Sequence, residues 1–212
     1  LLNQISATSY AIEETNIPFL GLFSACATSV ESLIIASKFI ETKTIKNAIC
    51  ITSSHNLAEE KQFRNPTEYG YTKPKTATFT STGGSAILLT NEKTSIKITN
   101  YTIGRIVNMN QKDPNNMGAA MAPAAADTIY NHLTNLNISP DYYDLILSGD
   151  LGHVGQDIAR ELLQLQGVTI ADEQLGDCGL MLYGASTKVF SGGSGCGCAA
   201  AVGFGHICRM IS

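Results

Sequence analysis

Cys26 has the surroundings of a nucleophile. It lies in Ser24-Ala25-Cys26-Ala27-Thr28-Ser29, where the apolar run Pro18-Phe19-Leu20-Gly21-Leu22-Phe23 gives way to a helical pattern. A cysteine at a strand-to-helix turn meets backbone N–H groups and the positive end of a helix, and both favour the thiolate. Ala25 and Ala27 are small enough for the sharp turn that pushes such a residue into a pocket. An inert cysteine filling a tight junction fits the same spacing. A nucleophile also needs a base. His153 follows the stretch Asp144-Leu145-Ile146-Leu147 by a few residues, and His55 follows the run 47–52, where α/β sheets place their ligands. His132 and His206 read as structural.

Three further segments stand out. Ser54-His55-Asn56-Leu57-Ala58-Glu59-Glu60-Lys61-Gln62-Phe63-Arg64 gathers ionisable groups in a chain otherwise poor in charge. Lys61, Arg64 and His55 suit an anionic ligand, since cationic donors pair with carboxylates; a solvated loop is the plainer alternative. Lys112-Asp113-Pro114-Asn115-Asn116-Met117-Gly118-Ala119-Ala120-Met121-Ala122-Pro123 starts with turn chemistry and continues with small residues that allow close packing. Close packing accounts for the alanines but not for Asn115, Asn116 and Met117 at the mouth of a helix. Gly192-Gly193-Ser194-Gly195-Cys196-Gly197-Cys198 lacks the G-K-[ST] ending of a P-loop, and its expected role is to bring backbone N–H groups to a ligand or oxyanion.

The elements that must hold these residues follow from the pattern of the chain. Its 212 residues carry 18 acidic and 14 basic side chains, a net charge of −4, and only 15% charged residues. About 25% is usual. Hydrophobic residues make up 44%, which excludes a disordered chain. No apolar run approaches the ~18 residues of a membrane span, and without a Lys/Arg cluster nucleic acid is not an expected partner. The six cysteines contain no C-x-x-C pair and the four histidines no ligand-spaced cluster, so no metal site is expected. Cys50 and Cys208 read as buried small hydrophobes, and the spacing points to a reduced, intracellular protein. The chain opens on Leu1 rather than methionine, so its true N-terminus is expected upstream.

Helix is predicted over 1–15, from about Val30 to Ile40, from Gly118 to Leu136 and from Val154 to Leu165. Buried strands are predicted at 18–23, 47–52 and 144–147, and strand content is read at 76–90 and 94–107. Residues 53–75 and 108–116 read as loops, and the tail from Leu180 as strands with Gly-rich turns. Alternating strands and helices make the class α/β. A weak internal repeat is visible. Strand, small-residue turn and helix over 17–39 return over 143–163, with Ser24-Ala25-Cys26 matched by Ser148-Gly149-Asp150. Ser81-Thr82-Gly83-Gly84-Ser85-Ala86 is echoed by Ser191-Gly192-Gly193-Ser194-Gly195-Cys196.

The segments around Cys26, His55, Lys61 and Arg64, the Asn115–Thr128 run and the Gly192–Cys198 loop resemble the stage V sporulation AD family of spore-forming bacteria. The resemblance spans essentially the whole chain. It implies the fold of thiolases and ketoacyl synthases, a layered αβαβα architecture of two related halves, here 1–92 and 93–212. It also implies truncation at both ends, with about one strand–helix unit before Leu1 and a final strand after Ser212. Cys26 falls at the family's nucleophile position. The partner His and Asn of condensing enzymes would stand where this chain has Gly149-Asp150 and Asp177, so the resemblance implies a protein that is not an enzyme.

The implied function is binding of dipicolinic acid (pyridine-2,6-dicarboxylate), whose ligand form may carry calcium, and assistance in its movement into or out of the spore. No cofactor is expected. Spacing and charge, rather than the resemblance, place Cys26, His55, Asn115, Asn116, Met117, Asp150 and Ser194 at the ligand, with Lys61 or Arg64 near its carboxylates. Other stage V sporulation A proteins are the implied partners, a homodimer the implied assembly, and the periphery of the spore inner membrane the implied location. The alternative is a residual acyltransferase or thioesterase using Cys26 with His153.

Overall fold

The computed structural model describes residues 2–63, 73–184 and 189–212, and the side chains of 2–6 and 60–63 are left aside. The chain opens with α1 (Leu2–Ile12) and a 3₁₀ turn (Glu13–Thr15), as the sequence predicts. Residues 16–24 then carry no strand, and Phe19, Leu20 and Phe23 are exposed. This corrects the buried strand predicted at 18–23. A strand needs a neighbour for its N–H and C=O groups, and among the described residues none pairs with this run.

After a 3₁₀ turn at Ala25–Ala27, α2 (Thr28–Glu41) leads to β1 (Asn47–Ser54), α3 (Asn56–Phe63), β2 (Phe79–Thr80) and β3 (Gly83–Thr90). The loop predicted at 53–75 thus contains a helix. β1 and β3 pair antiparallel, with Cys50 opposite Ile87 and Ile49 opposite Leu88. Burial along β1 alternates, as the two-residue period of a strand requires. Cys50, Thr52 and Ser54 face inward, whereas Ile49 and Ile51 are exposed, so β1 is buried on one face rather than two.

The second part contains α4 (Met117–Leu136), β4 (Ile146–Ser148), α5 (Gly152–Leu165), β5 (Leu175–Asp177) and α6 (Cys178–Tyr183). β6 (Gly193–Ser194), α7 (Cys196–Val202), a π-helical turn (Gly203–Ile207) and α8 (Cys208–Met210) complete it. The predicted strands of the tail are mostly helix, because Ala199-Ala200-Ala201 favours helix and the glycines serve turns. Cys208 is half-buried rather than buried. Residues 94–107 also form no ladder. They are tied to α4 by side chains instead, through Thr102 to His132 (2.7 Å) and Arg105 to Asp127 (2.6 and 2.9 Å).

The core centres on α4 and α5. Ala122 and Ala126 meet Ala159 and Leu163, closed over by Leu151, Ile170 and Leu175. Two glycines set the spacing: a Cβ on Gly155 would stand 2.9 Å from Gly118 Cα, and one on Gly118 would collide with the Leu151 carbonyl. β4 and β5 pair in parallel, as do β2 and β6. The β2–β6 ladder joins the two echoed sequence segments, with Thr80 opposite Ser194 and the Ser81 N–H donating to the Ser194 carbonyl at 2.9 Å.

Candidate functional site

The two turns of the internal repeat meet. Ser24-Ala25-Cys26 and Ser148-Gly149-Asp150 each bend the chain through a non-glycine residue of positive φ, 47° at Ala25 and 63° at Asp150. For such residues the left-handed conformation is uncommon and marks tightly determined backbone. The Cys26 thiol faces the carboxylate of Asp150, which is fully buried. Asp150 Oδ2 also accepts the N–H of Gly195 at 3.0 Å. Gly195 has φ 97°, and a Cβ there would crowd Thr80 and Ser54, so the close approach needs glycine.

Electrostatics here oppose thiolate formation. Burial pushes the Cys26 thiol far above its ordinary value, and the Asp150 charge and hydrogen bond add to this; the Gly195 N–H opposes it weakly. The expectation that backbone N–H groups favour the Cys26 thiolate is therefore corrected. Cys26 sits not at the end of a buried strand but in a one-turn 3₁₀ segment, facing a carboxylate. Cys178 nearby is pushed up to about 12, first by burial, then by Asp177 and Asp150.

The glycine-rich loop already spends its donors within the protein. Gly195 N–H goes to Asp150, Gly197 N–H goes to Ser54 Oγ at 3.0 Å, and Cys198 N–H goes back to the Gly195 carbonyl at 3.0 Å. The Ser54 hydroxyl donates to the Ser81 carbonyl at 2.8 Å, and the Cys196 thiol donates to the Ser53 carbonyl at 3.0 Å. Ser194 is fully buried in the β2–β6 ladder. The loop expected to serve a ligand thus serves a carboxylate and a hydroxyl of its own chain.

Asp177, at the position where a condensing enzyme's Asn was sought, is likewise occupied. Its Oδ2 accepts the Ser148 hydroxyl and the Leu151 N–H, each at 2.9 Å, and its Oδ1 accepts the Leu180 N–H at 3.1 Å, capping α6. Sequence reasoning missed this role and that of Gly195. An Asp just ahead of the apolar Leu180-Met181-Leu182 carried a capping signal that was available.

The remaining candidates scatter. His55 is exposed just beyond β1, and its carbonyl accepts the Glu59 N–H at 3.0 Å. His153 is exposed on the first turn of α5. Asn116 caps α4, its side chain accepting the Ala119 N–H at 3.1 Å, while the Asn115 N–H donates to Asp113 Oδ1 at 2.9 Å. Turn and cap chemistry accounts for both asparagines. Met117 opens the helix, and Gly118 beside it packs on Leu151, next in chain to Asp150. Lys61 falls on α3; its side chain and Arg64 lie outside the described residues.

Among solved structures, the fold is similar to that of AbyA1, a tetronic acid condensing enzyme. The TM-score is 0.62 at 14% identity, over 95% of this chain and 65% of that one. The architecture is thus α/β, of the thiolase and ketoacyl synthase type. At the level of sequence, the family model for stage V sporulation protein AD matches residues 1–212. The stage V sporulation protein AD of Bacillus subtilis (strain 168) is 45% identical over 211 residues, covering 100% of this chain and 62% of that protein. The chain belongs to the stage V sporulation protein AD family. It spans a little under two thirds of the length of the relatives it matches.

Proposed function

We propose that this chain is a non-catalytic sporulation protein that binds dipicolinic acid at the centre formed by Cys26 and Asp150. One observation carries the reading: Asp150, which takes the Gly195 N–H, lies against the Cys26 thiol. A Cys nucleophile must lose its proton, and a buried carboxylate against it opposes that loss. Acyl transfer also needs a donor for the developing oxyanion, and losing one costs about 10²–10³ in rate. Here the donor beside the thiol is engaged by Asp150. A thiolase-type site with its nucleophile and a donor neutralised keeps its place in the fold as a binding site.

The bound species is dipicolinic acid or its calcium chelate, with Cys26 and Asp150 lining its place. Lys61 and Arg64 remain the proposed carboxylate partners, with His55, Asn115, Asn116, Met117 and Ser194 in supporting places. The protein acts as a homodimer at the periphery of the spore inner membrane, handing the ligand to other stage V sporulation A proteins. Among the described residues no helix is long and apolar enough to cross a membrane, which fits a peripheral attachment.

Equilibrium dialysis with dipicolinate, with and without equimolar calcium, tests the reading. Saturable retention in either arm supports it. No retention in either arm overturns it.

A further inference from the structure

The geometry points to Asp177 as the residue that positions the Cys26–Asp150 pair. Asp177 is 1% exposed, and its two oxygens tie three separate pieces of chain together. Ser148 lies at the end of β4, Leu151 just past the turn, and Leu180 in the first turn of α6. The turn so strapped runs from Ser148 to Gly152 and contains two residues of positive φ, Asp150 at 63° and Gly152 at 61°. A non-glycine residue in the left-handed conformation persists where its surroundings hold it there. The bonds to Ser148 and Leu151 bracket Asp150 and supply that constraint. Asp150 in turn is aimed at Cys26 and Gly195.

The strap needs a carboxylate. Each Asp177 oxygen accepts a backbone N–H, and neither N–H can accept in return. An asparagine has one acceptor oxygen, so its NH₂ would face the Leu151 or the Leu180 N–H. The position therefore discriminates Asp from its isostere. The titratable groups facing the Cys26 thiol are Asp150 and Cys196, so a change at Asp177 reaches the thiol through the turn.

The inference rests on the reading that Asp150 keeps Cys26 protonated, and one experiment separates the two. The rate of iodoacetamide alkylation at Cys26, resolved by mass spectrometry, is followed from pH 7 to 10 in wild type, Asp150→Asn, Asp177→Asn and Ser148→Ala. Thiolate content rises about tenfold for each unit by which a thiol's pKa falls. Cys26 in Asp150→Asn and in Asp177→Asn is expected to react at least tenfold faster at pH 8 than in wild type. Ser148→Ala, which removes one tie, is expected to fall between. Cys50, 4% exposed beneath α2, reports general loosening and is expected to keep its wild-type rate. A wild-type profile for Cys26 in Asp177→Asn, with Asp150→Asn accelerated, overturns the positioning role and leaves the reading intact. A wild-type profile in Asp150→Asn overturns the reading itself. If Asp177→Asn does not fold, Ser148→Ala decides alone, and an unchanged Cys26 profile in it overturns the proposal.

Discussion

The Cys26 thiol faces the buried carboxylate of Asp150, and the same carboxylate holds the N–H of Gly195. A thiol, a carboxylate and a backbone donor thus meet inside a fold whose similar structures include a condensing enzyme. The carboxylate opposes ionisation of the thiol, on which the proposed non-catalytic role rests. The consequences are measurable.

Acyl transfer should not start. Incubation of the protein with acetyl-CoA or a longer acyl-CoA, followed by intact mass measurement, is expected to leave Cys26 unmodified. A stoichiometric acyl adduct on Cys26 would restore the acyltransferase or thioesterase alternative.

Stability should fall on the alkaline side. Cys178 is pushed up from 9.0 to about 12, so the folded state keeps a proton that the unfolded chain releases above pH 9. Stability from this thiol is fully present below pH 9 and is lost as pH rises from there toward 12. The loss is at most about 1.4 kcal/mol per pH unit for one thiol. Melting temperatures between pH 8 and 10.5 are expected to decline, and Cys178→Ala is expected to flatten the decline. Identical slopes in the two proteins would refute this assignment.

Close packing of α4 on α5 should depend on its glycines. In an exposed helix Gly→Ala gains about 1 kcal/mol. At Gly155 the added Cβ would stand 2.9 Å from Gly118 Cα, so the helices must part. Overpacking of this kind costs about 1–3 kcal/mol. Gly155→Ala is therefore expected to lower the denaturation midpoint, and a raised midpoint would show that the interface yields freely.

Much of this was legible in the sequence. The helices now seen as α2, α4 and α5, the strands β1, β3 and β4, and the echo between the two repeated turns all followed from periodicity and small-residue placement. Two of the predicted strands failed for one reason. Residues 18–23 and 94–107 have strand composition, but a strand exists only beside a partner, and composition cannot supply one. The site was half legible. Cys26 and Asp150 were each named, yet their contact joins residues 124 positions apart, and periodicity carries no information across that distance. His55 and His153 drew attention because histidine is a versatile base; the structure leaves both in solvent. Asp177 stands where the resemblance seeks a condensing enzyme's asparagine, and its position before α6 also makes it a cap.

The central claim is that the ligand sits at the Cys26–Asp150 centre. Calorimetric titration of calcium dipicolinate into wild type, Cys26→Ala and Asp150→Asn tests it most directly. Saturable binding in the wild type, weakened at least tenfold (about 1.4 kcal/mol) in both variants, is the expected result. Wild-type affinity in both variants would contradict it.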